Sequence, residues 1–148
     1  MRTLGIDLGA RRVGLALSDE GAQFATPYEV LEVASPEHAM AQVLEVIAKE
    51  GVERIVVGLP INMDDTIGPS ARAAAAFGQQ LAAQAQKPVV YVDERLSSFQ
   101  ADQSMAERRR SGEKLTHRRK KEQRDAVAAA SFLQSFLDGR LPPIDITG

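Results

Sequence analysis

With 148 residues, 44% hydrophobic and 26% charged, and a net charge of -2, the sequence predicts one compact domain over residues 1–148. The absence of cysteine excludes disulfides, thiolate nucleophiles and cysteine-bound zinc, and two widely separated histidines argue against an imidazole-rich metal site. No apolar run approaches the ~18 residues that span a bilayer, and the chain begins without a basic-then-apolar leader, so we expect a cytoplasmic protein without membrane contact.

The first half of the chain has the pattern of three strands followed by a helix. Alternating apolar residues predict strands at residues 2–8 and 12–18, joined by a hairpin turn at "GAR", and a third strand at Thr26–Val33. A helix should begin after Ser35 as its cap and stop at Gly51. Three strands before the first helix indicate an antiparallel meander.

In the second half, strands alternate with helices, which indicates parallel crossovers and an α/β fold. The predicted elements are a buried strand at Arg54–Gly58, an alanine-rich helix at Ser70–Gln86, a strand at Val89–Val92, a helix from Ser97 or Ser98 to about Arg108, and a last helix at Gln123–Leu137 that Gly139 ends.

A basic segment precedes the last helix. Residues 108–124, "RRRSGEKLTHRRKKEQR", carry nine Lys and Arg against two Glu, so the segment has a charge of +7 and the rest of the chain -9. A solvated loop is the alternative interpretation. This short stretch holds half of all Lys and Arg residues of an otherwise acidic chain, which instead favours binding to a polyphosphate backbone.

The stretch "GIDLGARRVGLALSD", residues 5–19, places one carboxylate, Asp7, within an apolar strand. Its face of the strand and the facing residues of the next strand are small, so the carboxylate should be partly enclosed. A buried anion without a partner costs several kcal/mol, so a positive group must meet it. The alternatives are a metal ion or an ion pair with Arg11 or Arg12.

Glu94 follows the strand Val89–Val92 and continues the alternation of Val90 and Val92, which places it at the edge where α/β sheets bind ligands. Asp93 should point to the opposite face. A surface salt bridge of either acid with Arg95 is the alternative.

Asp125 is the third candidate, because it shares a helical stripe with apolar residues that must pack on the sheet: Ala128, Ala129, Phe132, Leu133 and Phe136. The alternative is a first-turn acid that stabilises the helix dipole. If the three acids meet, they cannot all stay ionised and unpaired. Without histidine, such a cluster suits Mg²⁺ or Mn²⁺, and two ions about 3.5 to 4 Å apart would bracket a phosphodiester. Whether Asp19 or Asp93 assists is left open.

Four blocks of the sequence resemble the YqgF family, also called RuvX, of pre-16S rRNA nucleases or Holliday junction resolvases. They are "GIDLGARRVGLALSD", "VVGLP" at 56–60, "DERLSS" at 93–98 and "KKEQRDAVAAASFL" at 120–133. The resemblance implies an RNase H-like fold, a five-stranded mixed sheet flanked by helices, with Asp7, Glu94 and Asp125 as the acidic triad. In "PINMDDTIGPS" the family usually has glycine at Asp65; because Asp tolerates a left-handed conformation, we expect the turn to survive.

The leading hypothesis is a two-metal-ion endonuclease that processes the 5′ end of pre-16S rRNA. The predicted nucleic-acid contacts are Arg11, Arg12, Asn62, Arg95, Lys114, Arg118, Arg119, Lys120, Lys121 and Arg124. One alternative is a resolvase of branched DNA, which requires two active sites and hence a homodimer. Another is a nucleic-acid-binding factor without catalysis. A kinase-like or Hsp70-like ATPase is disfavoured because it needs two such domains.

Overall fold

The computed structural model describes residues 1–97 and 117–144, and for residues 117–124 it describes the backbone alone. The strands are β1 (Thr3–Leu8), β2 (Arg12–Ser18), β3 (Ala25–Glu32), β4 (Arg54–Leu59) and β5 (Val89–Asp93). The α-helices are α1 (Pro36–Glu50), α2 (Pro69–Ala85) and α3 (His117–Leu137), and a short 3₁₀-helix, Glu94–Leu96, follows β5. The helix predicted from Ser97 or Ser98 to Arg108 lies outside the described residues.

The five strands form one sheet in the order β3-β2-β1-β4-β5. β1 pairs antiparallel with β2, and β2 with β3, whereas β1–β4 and β4–β5 are parallel. The Gly9 amide donates to the Arg12 carbonyl at 2.8 Å, which closes the turn predicted at "GAR". The predicted meander followed by two parallel strands is therefore confirmed, with β1 in the middle of the sheet.

Two apolar layers cover the two faces of the sheet. One face packs on α1 and α2 and includes Leu4, Ile6, Val13, Leu15 and Leu17 of the hairpin, with the predicted stripe of α1: Ala39, Met40, Val43, Val46 and Ile47. The other face packs on α3 and includes Ala16, Val56, Val92, Ala129, Phe132 and Leu133. Since neighbouring residues of a strand point to opposite faces, Asp7 lies on the α3 side.

The ends of the helices follow the local sequence with one exception. Ser35 Oγ accepts from the His38 amide at 3.1 Å, and Gly51 ends α1 with φ 65°. At the end of α3, Gly139 has φ 75° and donates to the Phe136 carbonyl at 3.0 Å, as its predicted role as a stop requires. The start of α3 is the exception: it begins at His117, not at Gln123.

This earlier start changes the interpretation of Asp125. The carboxylate lies well inside α3 and not in its first turn, so stabilisation of the helix dipole does not explain it.

None of the helices within the described ranges is long and apolar enough to cross a membrane.

Candidate active site

Asp125 can lie near Asp7 because β2 has no side chain where α3 contacts it. Asp7 and Gly14 are partners in the antiparallel register of β1 and β2. A Cβ atom on Gly14 would lie 2.2 Å from the Asp125 carbonyl oxygen and 2.9 Å from the Asp125 Cβ. The backbone of α3 therefore rests directly on β2, and Asp125 is brought beside the strand pair that carries Asp7.

Glu94 reaches the same place from β5, across a second glycine. A Cβ atom on Gly58 of β4 would lie 3.1 Å from Glu94 Oε2 and 2.7 Å from the Phe132 ring. Glu94 Oε2 is buried and, within the described part of the chain, has no hydrogen-bond partner. A buried carboxylate oxygen without a donor is energetically costly and is a natural position for a cation.

The three acids lie close enough to affect one another's pKa values. Burial, and then the charges of Glu94 and Asp125, raise the pKa of Asp7 to about 8. Burial also raises the pKa of Glu94 above its ordinary value, with contributions from the charges of Asp93 and Asp125, while a hydrogen bond from Asp7 acts in the opposite direction. The structure thus brings together Asp7, Glu94 and Asp125, as predicted, at one edge of the sheet.

The donor set fits a divalent cation, because all three side chains offer carboxylate oxygens, the ligands of hard cations. Across residues 1–97 and 117–144, however, no three acidic or histidine side chains are gathered closely enough to hold a metal ion as they stand. Asp125 is engaged elsewhere, since its Oδ2 lies 3.4 Å from Arg12 Nε. The three carboxylates therefore do not form a complete set of metal ligands in the arrangement that the structure describes.

The structure does not show the ion pair of Asp7 with Arg11 or Arg12 that was the alternative to a metal ion. Arg12 forms its ion pair with Asp125, and Arg11 is exposed at the hairpin turn. Among the described side chains, no arginine or lysine forms an ion pair with Asp7.

Asp93 faces away from this site, as predicted, and binds Arg95. Arg95 Nε and Nη2 lie 3.0 and 2.7 Å from the Asp93 carboxylate oxygens. The same guanidinium donates to the Asn62 carbonyl at 2.6 Å and to Asp65 Oδ1 at 3.0 Å. Asp65 has φ 68°, so the left-handed conformation expected at this position is confirmed. The ion pair of Asp93 with Arg95 is the alternative that the sequence offered, whereas the contacts of Arg95 with Asn62 and Asp65 were missed.

The remaining predicted residues divide by position. The backbones of Arg118, Arg119, Lys120, Lys121 and Arg124 lie in α3 ahead of Asp125, and Lys114 lies outside the described residues. Asn62 is exposed, and its Nδ2 donates to Thr66 Oγ1 at 3.0 Å. The nucleic-acid contacts predicted for all of these residues stay predictions.

Asp19 lies at the far end of β2 from Gly14. Its Oδ1 accepts from the amides of Gln23 and Phe24 at 2.8 and 2.9 Å, and the backbone hydrogen bonds lower its pKa. This acid caps a turn and is separate from the site.

Known proteins resemble this chain along nearly its whole length. Two relatives named "Putative pre-16S rRNA nuclease" are each 44% identical to it. The one from Chloroflexus aggregans matches over 140 residues, 95% of each chain, and the one from Anaeromyxobacter dehalogenans over 142 residues, 96% of this chain and 100% of the relative.

Solved structures with this fold include RuvC from T. thermophilus in complex with a Holliday junction substrate, with TM-score 0.64 at 23% identity over 97% of this chain and 100% of that chain. The fowlpox virus resolvase in complex with Holliday junction DNA gives TM-score 0.54 at 8% identity, over 93% of this chain and 99% of that one. These likenesses confirm the RNase H-like fold. The model of the RuvX family, described as Holliday junction resolvase, matches residues 1–139, and this chain belongs to that family.

Proposed function

We propose that this protein is a metal-dependent endonuclease, formed as one domain over residues 1–148, that hydrolyses phosphodiester bonds in structured RNA and processes the 5′ end of pre-16S rRNA. The observation that carries the proposal is the meeting of Asp7, Glu94 and Asp125 at one sheet edge, with a buried Glu94 oxygen that has no donor within the described residues. The relatives named for pre-16S rRNA support the substrate, which would place the activity in the cytoplasm.

Asp7, Glu94 and Asp125 would hold two Mg²⁺ or Mn²⁺ ions. When bound, such ions supply Lewis acidity that activates water and stabilises the leaving oxygen. The chain contributes rigidity, because Asp7 lies on the central strand between β2 and β4. Asp7, whose pKa is raised to about 8, would release its proton when a cation binds the carboxylate.

The substrate would be held by basic residues that lie near the three acids in the sequence. The basic segment, 108–124, has a charge of +7 and directly precedes Asp125 in the sequence. Phosphates of the substrate would bind to this segment. Arg11, four residues after Asp7, is exposed at the β1–β2 turn. These contacts would fix the backbone of the substrate without selecting its sequence.

Branched DNA is the second candidate substrate, and the description of the family model as Holliday junction resolvase favours it. The chemistry at the acids would be the same. Symmetrical resolution of a four-way junction needs two active sites, so this candidate requires a homodimer in solution.

The test offers purified protein a pre-16S rRNA fragment and a synthetic four-way junction, each with Mg²⁺ or Mn²⁺. We expect cleavage of the RNA, loss of cleavage in Asp7→Asn, and wild-type cleavage in Asp19→Asn, which removes an acid at the far end of β2. Preferential cleavage of the junction by a dimer would establish the second candidate. Full cleavage by Asp7→Asn would exclude both, and salt-sensitive binding without cleavage would establish a non-catalytic binding factor.

A further inference from the structure

We infer that Arg95 is a positioning residue that fastens the loop 60–68 to the end of β5, where Glu94 begins, and is not a phosphate ligand. We call the Arg95 clasp the set of contacts from Arg95 to Asp93, to Asp65 and to the Asn62 carbonyl. The role of the clasp in catalysis rests on the proposed function, whereas its role in holding the loop does not.

The first half of the clasp is an ion pair in which the carboxylate is buried and the guanidinium is partly exposed. Asp93 is only 6% exposed, and Arg95 Nε and Nη2 bind its two carboxylate oxygens, a bidentate arrangement. The Arg95 amide adds a bond of 3.0 Å to Asp93 Oδ1. Because a buried carboxylate without its cation is strongly destabilising, the guanidinium is committed to Asp93.

The second half of the clasp reaches the loop. Arg95 Nη1 donates to the Asn62 carbonyl and Nη2 to Asp65 Oδ1. The loop is also closed by its own backbone bonds, from the Asp65 amide to the Asn62 carbonyl at 2.9 Å and from the Asn62 amide to the Thr66 carbonyl at 3.0 Å. Arg95 therefore fastens a preformed turn, and Asp65 supplies an additional anchor.

Two residues of the clasp, Asp93 and Arg95, flank Glu94 in the sequence. They are bound to each other and to the loop. Within the described residues, Glu94 Oε2 has no hydrogen bond, and the carboxylate is joined to Asp7 by a side-chain hydrogen bond. The position from which Glu94 meets Asp7 is set by the backbone of the 3₁₀-helix Glu94–Leu96, which the clasp joins to the loop.

The same contacts leave little of Arg95 for a phosphate. They use four of the five N–H donors of a guanidinium. Arg11 offers a contrast, because it is exposed at the hairpin turn. The two arginines should therefore respond differently when RNA binding is measured against salt concentration.

The test compares Arg95→Lys, Arg95→Gln, Asp65→Asn and Arg11→Gln with the wild type by three measurements. Hydrogen exchange of the Asp65 and Thr66 amides should rise at least threefold in both Arg95 variants and less in Asp65→Asn. The salt slope of RNA binding should stay unchanged in the Arg95 variants and fall by about 0.7 to 0.9 in Arg11→Gln. The kcat for RNA cleavage should fall tenfold or more in Arg95→Lys, with KM within twofold.

Two results would overturn the inference: wild-type loop exchange in Arg95→Lys, or a salt slope in the Arg95 variants that falls as in Arg11→Gln. Asp65→Asn keeps the test decisive if Arg95→Gln does not fold, because Asp65 is exposed and asparagine accepts a left-handed conformation. If the wild type cleaves no RNA, the proposed function fails, while amide exchange still decides whether the clasp holds the loop.

Discussion

At the scale of the residue, strand alternation was enough to predict that Asp7 and Glu94 share a face and that Asp93 does not. Alternation fixes the direction of a side chain, but it does not select a partner. For that reason both Arg11 and Arg12 were candidates to neutralise Asp7, whereas in the structure Arg12 pairs with Asp125. The bonds of Arg95 to Asn62 and Asp65 were equally beyond prediction, because they join residues 30 or more positions apart.

Replacement of Asp7 by asparagine should stabilise the metal-free protein. The pKa of Asp7 in the folded chain, about 8, lies above its ordinary value of 3.8. The contribution of this group to stability is therefore complete below about pH 4 and is lost as the pH rises to about 8. In EDTA, the wild type should lose melting temperature from pH 5 to pH 8, and Asp7→Asn should lose less, melting at least ~3 °C higher at pH 8.

Thermal unfolding followed by circular dichroism measures this difference. Asp19→Asn is the matched control, because backbone hydrogen bonds lower the pKa of Asp19 and its removal gives no such gain. A melting temperature of Asp7→Asn below that of the wild type at pH 8 would refute the prediction.

Arg12 should compete with a metal ion for Asp125. The ion pair of 3.4 Å is partly exposed, and such pairs contribute up to about 1 kcal/mol. Arg12→Gln should therefore bind Mn²⁺ up to about fivefold more tightly in calorimetry, with Arg140→Gln as a control far along the chain. Unchanged or weaker Mn²⁺ binding by Arg12→Gln would show that the pair does not restrain Asp125.

At the scale of the element, apolar alternation and continuous apolar runs predicted the five strands of the sheet, and an apolar stripe or a high alanine content predicted the body of each described α-helix. The start of α3 was missed because residues 117–122 are all polar or charged, so they give no apolar stripe. Apolar periodicity reports burial, whereas Arg, Lys and Glu are good helix formers wherever they lie. The 3₁₀-helix Glu94–Leu96 was missed as well, since one turn is too short to show a period.

The contact of α3 with β2 at Gly14 should not tolerate a methyl group. Gly14→Ala places a Cβ atom 2.2 Å from the Asp125 carbonyl oxygen, so the helix must move away from the sheet and carry Asp125 with it. We expect a loss of about 1 to 3 kcal/mol in the free energy of unfolding, measured with urea, and loss of RNA cleavage.

Gly21→Ala is the matched control, because its added methyl group would meet only side-chain atoms, the nearest at 3.3 Å. If Gly14→Ala kept wild-type stability and cleavage, the close approach of α3 to β2 would not be what positions Asp125.

At the scale of the whole molecule, the separation of charge was visible in the sequence and governs the proposed binding. An acidic body of -9 that includes the three acids of the proposed site repels a phosphate backbone, and the basic segment of +7 would have to overcome that repulsion. The choice between RNA and branched DNA was not predictable, because hydrolysis of either needs the same acids and the same kind of basic surface.

RNA binding should consequently weaken steeply with salt. Replacing Arg118 and Arg119 by glutamine should make the plot of log Kobs against log[salt] less steep. The magnitude of its negative slope should fall by up to about 1.4 to 1.8, the value for two phosphate contacts. Fluorescence anisotropy with the Asp7→Asn protein measures the slope without cleavage, and Arg72→Gln, on α2, is the control. Equal slopes in all variants would show that Arg118 and Arg119 of the basic segment do not contact the RNA phosphates.

The most direct test of the site is the affinity of the three acids for Mn²⁺, measured by calorimetry on the metal-free protein. The wild type should bind Mn²⁺ saturably and release a proton, since the pKa of Asp7 is raised to about 8. Asp7→Asn, Glu94→Gln and Asp125→Asn should each weaken binding at least about tenfold, and Asp19→Asn should leave it unchanged. Wild-type Mn²⁺ affinity in Asp7→Asn would contradict a metal site built on these three carboxylates.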